Sequence, residues 1–260
     1  MDISKAYAIM VNDLTEIFSS RSIYVPMIAV PVFFAIMLPL FTFYVSVFNI
    51  TGVISKIFAT QSTVAITALS GGSFFMSYFS TYVLGPIFLT MPIFTATVIA
   101  ADSFAGEKER KTSEALLSTP LKISELLIGK VLSSFIPSVV LTLGVFAIYG
   151  SLTNILAYKA FGMYLLPTAP WLMMILLAPF LSLAAIGVVV LVSAHVAGIK
   201  EAQQISSLLV LPILVIPFTS ILGVANLTVQ FFAQLIALLV IIDVAVIYFG
   251  IRTFKKESIL

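Results

Sequence analysis

The sequence predicts an all-α membrane protein with six transmembrane helices, and three observations carry that prediction. Apolar residues make up 61% of the 260 and charged residues only 9%, against roughly a quarter charged in soluble domains. Six apolar runs are each long enough to cross a hydrocarbon core about 30 Å thick, which takes roughly 20 helical residues. The basic residues fall almost wholly on one side of the topology that results. The chain has no cysteine, which excludes disulfides, thiolate metal sites and a cysteine nucleophile. Its first residues lack a basic segment running directly into an apolar one, so no cleaved signal peptide is expected.

Residues 1–21 form the first element. Ile3, Tyr7, Met10, Leu14 and Ile17 recur at three- and four-residue steps, while Asp2, Lys5, Asp13 and Glu16 occupy other faces. This is the pattern of an amphipathic helix lying along a membrane surface, and it reads equally as an interfacial anchor or as a surface for a partner. A transmembrane domain, 22–254, follows, with a short tail at 255–260. Span one covers 23–47 and contains Pro26, Pro31 and Pro39, which a span tolerates when neighbours satisfy the freed carbonyls. No charge occurs between Lys56 and Asp102, but 61–73 is rich in Ser, Thr and Gly. Span two is therefore placed at 79–101, and the stretch before it is read as an outer loop or a short interfacial helix. The remaining spans are 126–149, 171–194, 206–222 and 231–250, each ended by charge, Gly, Asn or Pro.

Six spans put both termini on one side, together with the loops after spans two and four. Lys5, Arg21, Lys108, Arg110, Lys111, Lys122, Lys130, Lys200, Arg252, Lys255 and Lys256 share that side, leaving Lys56 and Lys159 opposite. Eleven basic residues against two assign the first group to the cytoplasm of a multi-pass plasma-membrane protein. An additional span at 57–69 would carry the Lys108 loop across the membrane from Lys5 and Arg21, and is rejected on that ground. The glycosylation triplets at Asn49 and Asn226 lie on the outer side and agree with the orientation.

The loop after span two holds the densest charge in the chain. Glu107 with Lys111, and Arg110 with Glu114, stand four residues apart, so a short helix over 104–118 would pair opposite charges on its solvent face. Pro120 ends that helix and Ser124 is placed to cap the next. The segment reads as helix, break, helix. By itself it is equally an ordinary solvated connection.

These residues resemble the signature of permease subunits of type 2 ATP-binding-cassette (ABC) exporters. There, Gly-Glu and a second acidic residue precede a Thr, followed by Glu, Leu-Leu, a Ser-Thr-Pro turn, and Gly-Lys at the start of the third span. Here those elements are Gly106, Glu107, Glu109, Thr112, Glu114, Leu116, Leu117, Ser118, Thr119, Pro120, Gly129 and Lys130. Lys111 departs from the Gly often found before the Thr. The resemblance implies that 104–118 is a coupling helix seated in a cleft of a cytoplasmic ATPase. Glu107, Glu109, Arg110, Thr112, Glu114, Leu116 and Leu117 would make its contacts, and 1–21 would be the connecting helix beside it. The second cytoplasmic loop, with Lys200 and Glu201, reads either as a further contact or as a plain tight turn. The resemblance further implies two ATPase copies carrying ATP and Mg, a second permease copy or homologue, no cofactor on this chain, and no nucleic acid as a partner. It places spans two and five along the translocation path, with Phe88, Met91, Phe94 and Pro212 as candidate pathway residues. Gly85, Pro86, Pro92 and Pro217 mark places where those helices can bend. The apolar composition there favours an amphiphilic or hydrophobic substrate. Gly129-Lys130 is followed by Val131 and preceded at the required spacing by Ser124, so it is not a phosphate-binding loop. ATP hydrolysis is assigned to another polypeptide, and this chain is not expected to be an enzyme.

Asp243 is the one carboxylate placed well inside a span, a costly position that makes it a candidate by default. A proton or cation site, a bond to a polar group on a neighbouring helix, or a place near the headgroups would each account for it, and the bond is favoured because no second buried charge accompanies it. His195, the sole histidine, reads as an interfacial polar residue. Phe74, Phe75, Tyr78, Phe79 and Tyr82 read as an aromatic belt, with a gate or substrate surface as the alternative. An ion-coupled carrier or channel would show several intramembrane charges or an inverted repeat. An intramembrane enzyme would show clustered catalytic groups. Neither pattern is visible, while a permease-like subunit that transmits force without moving cargo would read the same.

Overall fold

The computed structural model describes residues 3–48, 72–110, 123–196, 198–221 and 227–257. Its regular elements are α1 (Ile3–Ser19), α2 (Arg21–Val47), α3 (Gly72–Tyr78), a π-helical turn (Phe79–Leu84), α4 (Gly85–Phe88), α5 (Thr90–Glu109), α6 (Ile123–Phe161), α7 (Ala169–Ser193), α8 (Ile199–Ser207), α9 (Val210–Ile221) and α10 (Val229–Glu257). Among the described residues six helical stretches are long and apolar enough to span a membrane: Ile23–Val47, Gly72–Glu109, Glu125–Phe161, Ala169–Ser193, Ile199–Ile221 and Val229–Val246. Hydroxyls inside the spans are satisfied mainly by their own helix. Thr42 donates to Pro39 O, Thr95 to Met91 O and Thr142 to Ser138 O, which removes the cost of burying them unpaired.

Several boundaries move outward from those predicted. Span two starts at Gly72 instead of 79 and continues to Glu109, so 104–109 belongs to α5, and the rest of the expected coupling helix, 111–118, lies outside the described residues. Gly72, read as part of the loop, packs closely instead: a Cβ on it would lie 2.6 Å from Ser46 O on α2, while 61–71 lies outside the described residues. Span three continues to Phe161, and Asn154 secures the return by bonding Leu165 N, Leu166 N and Leu166 O. The stretch read as the second cytoplasmic loop contains α8. Ser124 lies within α6, so it is not the cap of that helix. The rejected span at 57–69, Asn49, Asn226 and the break at Pro120 lie outside the described residues. At 38 and 39 residues, span two and α6 are each about 57 Å long at 1.5 Å per residue, nearly twice the hydrocarbon thickness. Their ends therefore stand in a polar layer.

Span two is the axis of the bundle: 78% of its most apolar window is buried, against 17–33% for spans one, three, five and six. On one side α5 packs along α7, which in turn carries α10; on the other it meets α6, which carries α1 and α2. Phe88 lies 4.6 Å from the Tyr149 ring, and Trp171 packs against both Phe146 (4.8 Å) and Tyr149 (5.2 Å). This aromatic block joins spans two, three and four. The predicted aromatic belt divides. Phe75 is buried and stacks on Phe79, Phe74 is exposed, and the Tyr78 hydroxyl meets Ser220 of α9. Pro86 has no N–H to offer the preceding turn, and the wider π turn lies immediately before it, closed by Gly85 N–H to Ser80 O.

The first helix is seated differently from its apolar stripe. Ala6 and Ile17 are buried, whereas Tyr7 is 62% exposed and Asp13 lies on the packing face. The cause is Gly129 on α6, where a Cβ would lie 2.8 Å from Ala6 O and 2.8 Å from Ile9 Cβ. That close approach turns the Ala6–Ile9 side of α1 inward. Gly129→Ala should therefore force α1 off α6 and lower stability by about 1–3 kcal/mol, the usual cost of overpacking. Thermal unfolding of the detergent-solubilised variant measures this, and an unchanged midpoint would contradict the packing described.

Candidate functional site

The polar ends of α1, α5, α6, α7 and α8 meet at one end of the bundle. Asp102 to Glu109 form the last two turns of α5, and Glu125 and Lys130 lie in the first turns of α6. Lys130 is the centre of this layer, with its side chain only 3% exposed. Its ammonium binds Glu107 Oε1 at 2.5 Å, donates to Ser103 O at 2.5 Å, and lies 5.3 Å from the centroid of the Phe104 ring. A buried ammonium needs such a set of partners, because desolvation without them costs several kcal/mol. Gly129 and Lys130 thus act together: one admits α1, the next ties α6 to α5.

Around this pair, α1 is held by its acidic residues. Asp13 Oδ2 accepts from Ser103 Oγ at 2.8 Å and from Ser133 Oγ at 3.3 Å. Arg110 forks, with Nη1 on Glu16 Oε1 at 2.6 Å and Nη2 on Asp102 Oδ1 at 2.9 Å. Glu107 pairs with Lys130 on α6, and Arg110 with Glu16 on α1 and Asp102 on α5. Lys130–Glu107 is the desolvated pair, whereas Arg110–Glu16 is open to solvent on both sides and correspondingly weaker. Lys111 and Glu114 lie outside the described residues.

The next two residues of α5 reach the opposite way. Lys108 Nζ donates to Ser193 O at 2.8 Å and Ala194 O at 3.2 Å, and Glu109 Oε2 accepts from Ile199 N at 2.9 Å. One helix end therefore touches α1, α6, α7 and α8. Among the described residues no three potential ligands converge as a metal site would require.

The family model described as ABC-2 family transporter protein matches residues 7–246. The chain belongs to that family. No curated protein matches it. As an ABC-2 chain it is a transmembrane transporter component with six candidate spans, and the charged end can be compared with the signature read from sequence. Gly106, Glu107, Glu109, Gly129 and Lys130 converge there, and Gly106 has a packing role, since a Cβ on it would lie 3.3 Å from both Asp102 Oδ1 and Ile199 Cδ1. Thr112, Glu114, Leu116 and Leu117 lie outside the described residues. Asp13, Glu16, Asp102, Ser103 and Ser133 complete the layer and were not legible as site residues. Asp13 and Glu16 read only as part of the polar side of an amphipathic helix, and Asp102, Ser103 and Ser133 as isolated polar residues.

The remaining candidates are scattered. Phe88 and Met91 of the ABC-2 bundle are buried, whereas Phe94 and Pro212 are exposed. Lys200 and Glu201 sit exposed in the first turn of α8, and the His195 ring contacts Leu191 O at 3.0 Å. Asp243 is 6% exposed, and neither carboxylate oxygen has a hydrogen-bond partner among the described residues. Among the described residues the anticipated bond to a neighbouring helix is not made, and α7, which packs against α10, has no charged residue.

Replacing Lys130 by Met should leave Glu107 and Ser103 O without their partner. We expect a loss of about 2–4 kcal/mol, somewhat below the cost of breaking a fully buried pair because Glu107 retains solvent access. Adding Glu107→Gln to Lys130→Met should recover part of that loss in a double-mutant cycle of thermal stability. Strict additivity of the two changes would contradict the pairing.

Proposed function

We propose that this ABC-2 chain is the permease subunit of an ATP-driven exporter, paired with a second permease copy or homologue and with two separate ATPase subunits that bind ATP and Mg. The observation that carries this reading is the convergence of α1, α5, α6, α7 and α8 on Lys130, Glu107, Lys108, Glu109 and Arg110, beside the segment bearing Thr112, Glu114, Leu116 and Leu117. An ATPase docked on that segment, with Lys200 and Glu201 on α8 as a second contact, would deliver its displacement to several spans at once. ATP binding then biases the bundle between inward-open and outward-open or occluded arrangements. The positive-inside asymmetry supports a place for this end and both termini on the cytoplasmic side of the cell membrane. The apolar character of spans two and five, including Phe88, Met91, Phe94 and Pro212, supports an amphiphilic or hydrophobic substrate.

Two measurements test this. In proteoliposomes holding the permease with its ATPase, Glu114→Lys should abolish ATP-driven transport while membrane insertion and ion-paired packing persist; full transport by this variant would remove the docking assignment. Because the chain contains no cysteine, single cysteines replacing Lys200 and Lys159 report sidedness directly. The first should react with impermeant maleimide only from the cytoplasmic side and the second only from outside. Labelling of both from one side would overturn the topology.

A further inference from the structure

We infer that Lys108 and Glu109 are positioning residues that clasp the break between α7 and α8, so that the end of span two carries span five with it. The chain between these helices is short: α7 ends at Ser193 and α8 begins at Ile199. The last carbonyls of a helix and its first N–H groups lack partners within the helix, and the two ends carry partial charges of opposite sign. Lys108 Nζ donates to Ser193 O and Ala194 O at the negative end of α7. Glu109 Oε2 accepts from Ile199 N at the positive end of α8. Two adjacent residues of opposite charge thus reach two helix ends of opposite polarity. The residue at the N-cap of α8 is Gly198, which has no side chain with which to cap it; Glu109 supplies the missing acceptor from another helix.

The fit is close as well as electrostatic. A Cβ on Gly198 would lie 3.4 Å from Glu109 Oε2, and one on Gly106 would lie 3.3 Å from Ile199 Cδ1. The end of α5 is therefore in van der Waals contact with the first turn of α8. That helix has only nine residues, too few to be stable unaided, and it leads directly through Leu208 and Leu209 into α9. A shift of α5 is passed through the clasp to α8 and so to span five. The source of that shift rests on the exporter reading above, whereas the clasp itself is a property of the permease alone.

Amide hydrogen exchange of the full chain in lipid nanodiscs tests the clasp without an ATPase. Glu109→Ala should speed exchange over 199–203 by about tenfold, the effect of losing a cap, and Lys108→Met should also speed exchange there. Peptides from α6 and α10 should remain unchanged, and if Glu109→Ala does not insert, Glu109→Gln should show a smaller increase confined to the same peptide. Unchanged exchange at 199–203 in these variants overturns the clasp. In the reconstituted complex, Glu109→Ala should lower ATP-driven transport while ATP hydrolysis continues, with partial rescue in Glu109→Gln. Faster exchange with full transport would overturn the transmission role. A wild-type complex without ATP-driven transport would instead defeat the exporter reading, leaving the exchange result to decide the clasp.

Discussion

A lysine ammonium buried at the head of the third span is the constraint on which the charged end of this bundle depends. A buried ammonium is costly without oxygen acceptors around it, and Glu107 with Ser103 O supplies them. This requirement sets how far α5 must extend before the chain turns, and at what height α5 and α6 face each other. Ser103, whose carbonyl is occupied by Lys130, also turns its hydroxyl to Asp13. The first helix is therefore referred to the same point. The preceding residue, Gly129, lets α1 come close enough for that bond to form. Charge pairing and close packing are met within a single turn of α6.

The number, order and class of the helices were legible because hydropathy over 20 residues depends little on tertiary detail. The first span has the same limits in sequence and structure, 23–47. The boundaries that moved did so where small or polar residues are used for contact between helices. Gly72 reads as loop material but admits the Ser46 carbonyl, and Asn154 reads as a helix end but holds the return segment. At the charged end the residue types were legible and their partners were not. Glu107 binds Lys130 on α6, and Arg110 reaches back to Glu16 on α1, contacts that spacing within the loop does not point to. Local spacing ranks neighbours on one helix; it carries no information about desolvation by another. Asp243 shows the same limit, since its place inside a span was visible while the lack of a hydrogen-bond partner among the described residues was not.

Span two is both the most buried and the least regular of the spans. A π turn adds one residue to a helical turn, so the positions before and after it face different neighbours. Phe75 and Phe79 stack beside Val45 of α2, whereas Phe88, beyond the turn, packs into the Phe146, Tyr149 and Trp171 block. One helix thereby serves two separate contact surfaces. Gly85, against which the Met174 sulfur packs at 2.8 Å from a would-be Cβ, keeps α7 close where the register changes.

The seating of α1 also sets an order of events during synthesis. Its polar contacts are made with residues 90, 94 and 120 positions further along the chain. Asp13 and Glu16 must therefore remain hydrated while the first span enters the bilayer and the second and third are still emerging. Docking of the amino-terminal helix is a late step, available only once Ser133 has been made and brought beside Ser103, and its completion reports that the first three spans have assembled in the correct register.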